Sequence, residues 1–296
     1  MQKDSFYTVN PAVNICFFAA VMLITTFVLH PVIVGVSLAA ACAYTLMLKG
    51  RKAFVYMLAF VVPVVLAVSV INPLFNHEGV TVLFYLWNGN AVTYEAVIYG
   101  CVSACMFAAL IMWFFCLNCV MTSDKYVYLF GRIIPTLSLV FSMVLRFVPG
   151  IISRIREVSQ ARRSVSPDFG KNPIKGVRHG LAVVSVTVTW ALEKAVNVSD
   201  SMKSRGYGLG RRTSFSVFSF DKRDCALSVI MLVCFAACVA ALASKTISFR
   251  FYPSIKQTFA GWAAYGGCAA FAVLCALPVL LNIKENIAWR ILKSRI

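Results

Sequence analysis

The sequence predicts an all-α polytopic membrane protein, with about six transmembrane helices and a set of long cytoplasmic amphipathic helices. Three observations carry this. Of 296 residues, 60% are hydrophobic and only 13% charged, against roughly 45–50% and about 25% in soluble globular chains. Several runs free of Asp, Glu, Lys and Arg reach the roughly 20 residues that a helix needs to cross a bilayer. The basic residues, 28 Lys and Arg against 11 Asp and Glu, also fall almost wholly on one side of the resulting topology. Such a composition excludes disordered, collagen-like and disulfide-scaffold classes.

The uncharged run 5–48 is long enough for two spans, at 12–29 and 31–48. His30-Pro31 separates them, because proline lacks an amide donor and disfavours helix in the residue before it. Further runs place spans at 54–72, 96–118, 225–244 and 260–282. Pro63 and Pro278 fall inside spans, where neighbouring helices satisfy the freed carbonyls. The N-terminus does not read as a signal peptide, since Asp4 offsets Lys3 and a second apolar run follows at once. Residues 1–119 are thus expected to form an N-terminal membrane region of four spans, and 225–296 a C-terminal region of two.

With the N-terminus in the cytoplasm, every Lys and Arg except Lys245, Arg250 and Lys256 is cytoplasmic. Basic residues gather on that side of membranes, so a multi-pass cell-membrane protein with both termini cytoplasmic is expected. The same asymmetry accounts for the net charge of +17 without nucleic acid as a partner. Most of the cysteines lie in spans, where they act as small apolar residues. Cys116-Leu-Asn-Cys119 ends an apolar helix with no βαβ context, and His30, His77 and His179 form no cluster. No cofactor or metal is expected. In the outer segment 73–95, Asn88-Gly89-Asn90 favours a hairpin, with flanking aromatics at the lipid interface.

The segment 120–224 is too basic for the membrane interior and too long for a structureless connection. Over 125–223 it holds 17 Lys and Arg against 5 Asp and Glu. A short helix is expected at 123–131. A long one follows from Pro135 to about Ser164, with Leu137, Val140, Val144, Phe147, Ile151, Ile155 and Val158 at three- and four-residue spacing. Pro149 is expected to bend it. After a turn at Pro167-Asp168-Phe169-Gly170, a second long helix begins at Asn172-Pro173. Its stripe runs through Ile174, Val177, Leu181, Val184, Val188 and Leu192 to Met202, and it stops at Gly206. Glu193 and Asp200 are expected to pair with Lys194 or Lys203 on a solvated face.

Both long helices end alike: Ala161-Arg162-Arg163 closes the first, Ser204-Arg205-Gly206-Tyr207 the second. Cations near a helix C-terminus stabilise its dipole. The sharper reading is that each arginine enters an acidic groove on a partner, since the planar guanidinium makes paired bonds to carboxylates. These signatures, with Leu145-Arg146-Phe147 before Pro149 and Arg212-Thr213-Ser214-Phe215, resemble the transmembrane coupling subunit of energy-coupling factor (ECF) transporters, the family that includes cobalt-permease coupling proteins. That family carries Ala-Arg-Gly at two coupling-helix ends. Here Arg163 replaces the first glycine and Ser204 the second alanine.

The resemblance implies a non-catalytic subunit of an importer of vitamins or metal ions. It would join two cytoplasmic ABC-type ATPase subunits to a membrane substrate-binding subunit within the lipid bilayer. It makes Ala161, Arg162, Arg163, Ser204, Arg205 and Gly206 the ATPase-docking residues of a coupling-helix region at 120–224. No phosphate loop of the G-x-x-x-x-G-K-[ST] type occurs, so ATP hydrolysis is expected on the partners. The alternative, a stand-alone permease or channel, predicts ionisable residues inside the spans, and the span cores contain none.

Overall fold

The structure, a computed structural model, describes residues 5–85, 91–165, 173–209, 218–244, 247–259 and 262–293. They divide into two compact units, Met1–Thr122 with Phe218–Ile296, and Ser123–Val217.

In the first unit, a 3-10 turn at Ser5–Thr8 leads to α1 (Pro11–Phe27) and α2 (Pro31–Lys49). Each begins on proline behind a capping side chain. Asn10 Oδ1 accepts the Ala12 amide at 3.0 Å, and His30 Nδ1 accepts the Val32 amide at 3.3 Å. A cap and a first-turn proline together satisfy amides that would otherwise be orphaned. Helix α3 (Arg51–Tyr56) passes through a π-helical turn (Met57–Val61) into α4 (Val62–Phe75). The wide turn lies just before Pro63, which cannot return an amide to the preceding turn. The span expected at 54–72 runs on to Phe75, because Pro73 is absorbed inside α4 and Asn76 still donates to the Asn72 carbonyl at 2.9 Å. Strands β1 (Val82–Tyr85) and β2 (Ala91–Thr93) pair antiparallel. The Asn88-Gly89-Asn90 turn expected between them lies outside the described residues. Helix α5 (Tyr94–Val120) follows, capped by Thr93.

The loop before β1 is clasped to the start of α5. Glu95, buried in the first turn, accepts the Thr81 amide at 3.3 Å and the Thr81 hydroxyl. Thr93 Oγ1 donates to the Glu78 carbonyl at 2.8 Å. Gly79 closes the clasp at φ +147°; a Cβ there would lie 2.7 Å from both Glu95 Oε2 and Thr93 Oγ1.

The second unit is three helices: α6 (Ser123–Ile133), α7 (Pro135–Val165) and α8 (Pro173–Ser204). They match the expected boundaries closely, and α7 is continuous through Pro149. The turn 167–170 and the Asn172 cap lie outside the described residues.

The first unit is completed by α9 (Lys222–Ala243), the antiparallel strands β3 (Ile247–Arg250) and β4 (Lys256–Phe259), and α10 (Trp262–Lys293). Asp221 and Asp224 form a capping box at the start of α9, extending it before the expected Cys225. Its core joins the 3-10 turn to α1, α2 and α5. Phe6, Phe17, Phe18, Tyr44 and Trp113 are buried, with edge-to-face ring contacts at 5.1 Å (Phe6–Phe17), 5.2 Å (Phe17–Phe18) and 5.8 Å (Phe17–Trp113), the geometry aromatic quadrupoles prefer. A hydrogen-bonded chain of side chains runs through this core. Trp113 Nε1 donates to Ser37 Oγ at 3.0 Å, and Ser37 Oγ meets Thr25 Oγ1 at 2.9 Å.

Among the described residues, seven helical stretches are long and apolar enough to cross a membrane: Pro31–Lys49, Lys52–Phe75, Tyr94–Val120, Thr136–Val165, Ile174–Ser204, Lys222–Ala243 and Trp262–Lys293. The protein is an all-α, multi-pass membrane protein. The seven differ from the six spans expected from sequence. At 17 residues α1 is shorter than the seven, although about 26 Å of helix still approaches the hydrocarbon thickness. Helices α7 and α8 qualify on their apolar stripes and length, in spite of the charges along them.

Candidate functional site

The second unit presents two helix tips and a point where their helices touch. Helix α6 packs on α7, with Ser138 Oγ donating to the Val127 carbonyl at 3.0 Å. Helices α7 and α8 meet where Ser159 Oγ lies 3.3 Å from His179 Nε2. The Trp190 ring there is flanked by two cations, the Arg154 guanidinium at 5.8 Å and Lys194 Nζ at 5.3 Å. Arg154 also pairs with Glu157 at 3.1 Å. Val183 and Thr187 are buried at this contact level of α8. An open cleft of about 510 Å³ adjoins it, lined by Arg154, Glu157, Val158, Ala161, Arg162 and Val186 among others.

The structure shows which face of α8 is covered and corrects one expected pairing. The apolar stripe read along α8 is the uncovered one: Ile174, Val177, Leu181, Val184, Val188 and Leu192 are all exposed. The face turned inward instead carries His179, Val183, Thr187 and Trp190. The run Val-Val-Ser-Val-Thr-Val-Thr-Trp is apolar on nearly every side, so periodicity alone could not select the packed face. The pairing expected for Glu193 and Asp200 is also replaced. Lys194 lies over Trp190, and the ion pair observed in this unit is Arg154–Glu157.

The six residues singled out by the sequence fall into two separate groups. Ala161, Arg162 and Arg163 occupy the last turn of α7. Ser204 ends α8, Arg205 follows as the cap, and Gly206 adopts a left-handed conformation with φ +81°. The Gly206 amide donates to the Lys203 carbonyl and the Tyr207 amide to the Met202 carbonyl, both at 3.0 Å. This pair of bonds is the Schellman closure, which uses glycine because a Cβ disfavours that backbone region. Arg163 and Arg205 are exposed, Arg162 half-buried. Among the described residues no salt bridge engages any of the three. No hydrogen bond in the described residues joins the two tips.

Sequence reasoning found the tips but missed the contact between the helices. Trp190 and Arg154 lie far apart in the chain, and an aromatic residue amid β-branched neighbours gives no sign of which cation will cover it.

A bundle of apolar helices with a strongly basic helical unit defines a multi-pass membrane protein. The comparisons with known proteins agree. A family model described as a cobalt transport protein (CbiQ) matches residues 2–217. The chain therefore belongs to the CbiQ cobalt transport protein family. It is also similar to the energy-coupling factor transporter transmembrane protein EcfT of Lactobacillus helveticus (strain DPC 4571), with 32% identity over 95 residues. That match spans 31% of this chain and 34% of the relative's length.

Proposed function

We propose that this chain is the transmembrane coupling subunit of an ECF-type ABC importer for a vitamin or metal ion. Its membrane regions are 1–119 and 225–296, and 120–224 is a cytoplasmic coupling region carried by α6, α7 and α8. The termini are cytoplasmic, as the Lys and Arg asymmetry favours. Two ABC-type ATPase subunits dock on the tips, one at Ala161-Arg162-Arg163 and one at Ser204-Arg205-Gly206. Their ATP-driven movement passes along α7 and α8 to a membrane substrate-binding subunit. The chain itself performs no chemistry.

One observation carries this reading: two long helices each end in arginines that no acid among the described residues neutralises. A cation left without an intramolecular partner at a rigid tip is available to a carboxylate-lined groove, and the guanidinium fork suits that contact. The exposed stripe of α8 supports it too, since an apolar face of this length needs a covering partner.

The test is co-purification. Arg162→Ala and Arg205→Ala, singly and together, are expected to weaken capture of the ATPase subunits, because truncating one side of a desolvated charge pair costs about 2–5 kcal/mol. The unfolding of the membrane region is expected to be unchanged. Unaltered assembly and transport in the double variant would defeat the assignment.

A further inference from the structure

Helix α10 outruns its apolar stretch. The uncharged run ends at Ile283, yet the helix continues to Lys293. Its 32 residues amount to about 48 Å, against a hydrocarbon core of about 30 Å. The final turns therefore leave the hydrocarbon at the level of the headgroups. There Ile287, Trp289, Ile291 and Leu292 are 52%, 69%, 51% and 56% exposed. Helical periodicity sets them on one side of the segment with Ala288, and Asn286, Arg290 and Lys293 on the other.

Charge decides what such a surface takes. Glu285, the single acid after residue 283, is bound by Arg223 of α9 at 2.7 Å. Its charge is thus balanced inside the protein; the exposed Lys284 opens the segment on the side of Ile287 and Ile291, and Arg290, the exposed Lys293 and Arg295 follow in the sequence. Tryptophan and isoleucine on one side, lysine and arginine on the other, is the chemistry of a helix lying in a membrane interface. This stretch lies beyond residues 2–217, the part matched by the family model.

We propose that residues 284–293 are a binding site for anionic phospholipid. The basic side holds the phosphate, and Ile287, Trp289, Ile291 and Leu292 sink into the acyl boundary.

The test uses the full chain in nanodiscs of phosphatidylcholine, with or without phosphatidylglycerol. Trp289 fluorescence, isolated by difference against Trp289→Phe, is quenched by lipids brominated near the headgroup, and phosphatidylglycerol strengthens the quenching. Native mass spectrometry then gives the preference for phosphatidylglycerol over phosphatidylcholine. In Arg290→Gln/Lys293→Gln that preference falls about 30-fold, from roughly fivefold per cation. Both changes lie in the last turn of α10, and an unaltered melting temperature shows that the fold survives. Quenching of Trp289 by aqueous acrylamide instead of by lipid, or an unchanged preference in the double variant, overturns the site. So does shielding of Trp289 that arises only when ATPase or substrate-binding subunits are added, which would make the surface a protein contact.

Discussion

Replacing Gly206 by alanine isolates how the α8 tip is aimed. Gly206 closes α8 at φ +81°, and a Cβ added there would meet only the Leu209 Cδ1 atom, at 3.5 Å, an ordinary van der Waals distance. The substitution therefore introduces no clash, and its cost is confined to the backbone. An L-residue in the left-handed region costs about 1–2 kcal/mol. That corresponds to roughly a 5–30-fold shift away from the closed cap. Opening the cap frees the Met202 and Lys203 carbonyls and lets Arg205 swing. With the ATPase subunits titrated onto the full-length chain in detergent, Gly206→Ala is expected to weaken binding, by up to about that 5–30-fold factor. Gly206→Asn stays closer to wild type, because asparagine tolerates this conformation. Melting of the membrane region serves as the control and should not move. If alanine and asparagine weaken binding equally, side-chain bulk and not φ is responsible. If Gly206→Ala binds like wild type while Arg205→Ala does not, the cap has no part in presenting the arginine.

Two further outcomes concern the first unit. Gly79→Ala forces a Cβ to 2.7 Å from Glu95 Oε2 and Thr93 Oγ1 at an unfavourable φ; it is expected to lower stability by on the order of 3 kcal/mol, and an unchanged melting temperature would refute the clasp. Burial lowers the His30 pKa below its ordinary value, and its unprotonated Nδ1 caps α2. The unfolded chain therefore takes up the proton first, so stability is held above about pH 6.5 and is lost as pH falls below it. His30→Asn, which keeps a capping oxygen, should flatten that slope in melting curves recorded across the range; an identical slope in both proteins would contradict the reading.

Much of the fold was written in charge placement. Uncharged runs located α2, α5, α9 and α10 because an ionised side chain in hydrocarbon is costly whatever the neighbours are. Prolines marked helix starts at Pro31, Pro135 and Pro173, since the missing amide is harmless there. Pro73 shows where the rule fails: inside α4 the lost bond is tolerated, and no local signal separates the two cases. The α8 tip was legible because a glycine after a basic turn is a local signature; the α7 tip, where Arg163 stands in that place, was legible from its paired arginines and the family resemblance. The inward face of α8 was not, since Val183 and Val184 are chemically alike and only the position of α7 distinguishes them. The end of α10 was hidden for a related reason: Lys284 closes the apolar run, whereas helix propensity carries on through Ala288 and Leu292.

The meeting of α7 and α8 lies off centre. It falls near Val158 on one helix and near Val183 on the other, so Arg162 sits about 6 Å beyond the fulcrum and Arg205 about 33 Å beyond it at 1.5 Å per residue. A turn of roughly 10° about that fulcrum would sweep the longer arm by about 6 Å and the shorter by about 1 Å. With a motor seated on each end, equal strokes would do unequal work: one end gears the motion up, and the other acts nearer to a hinge.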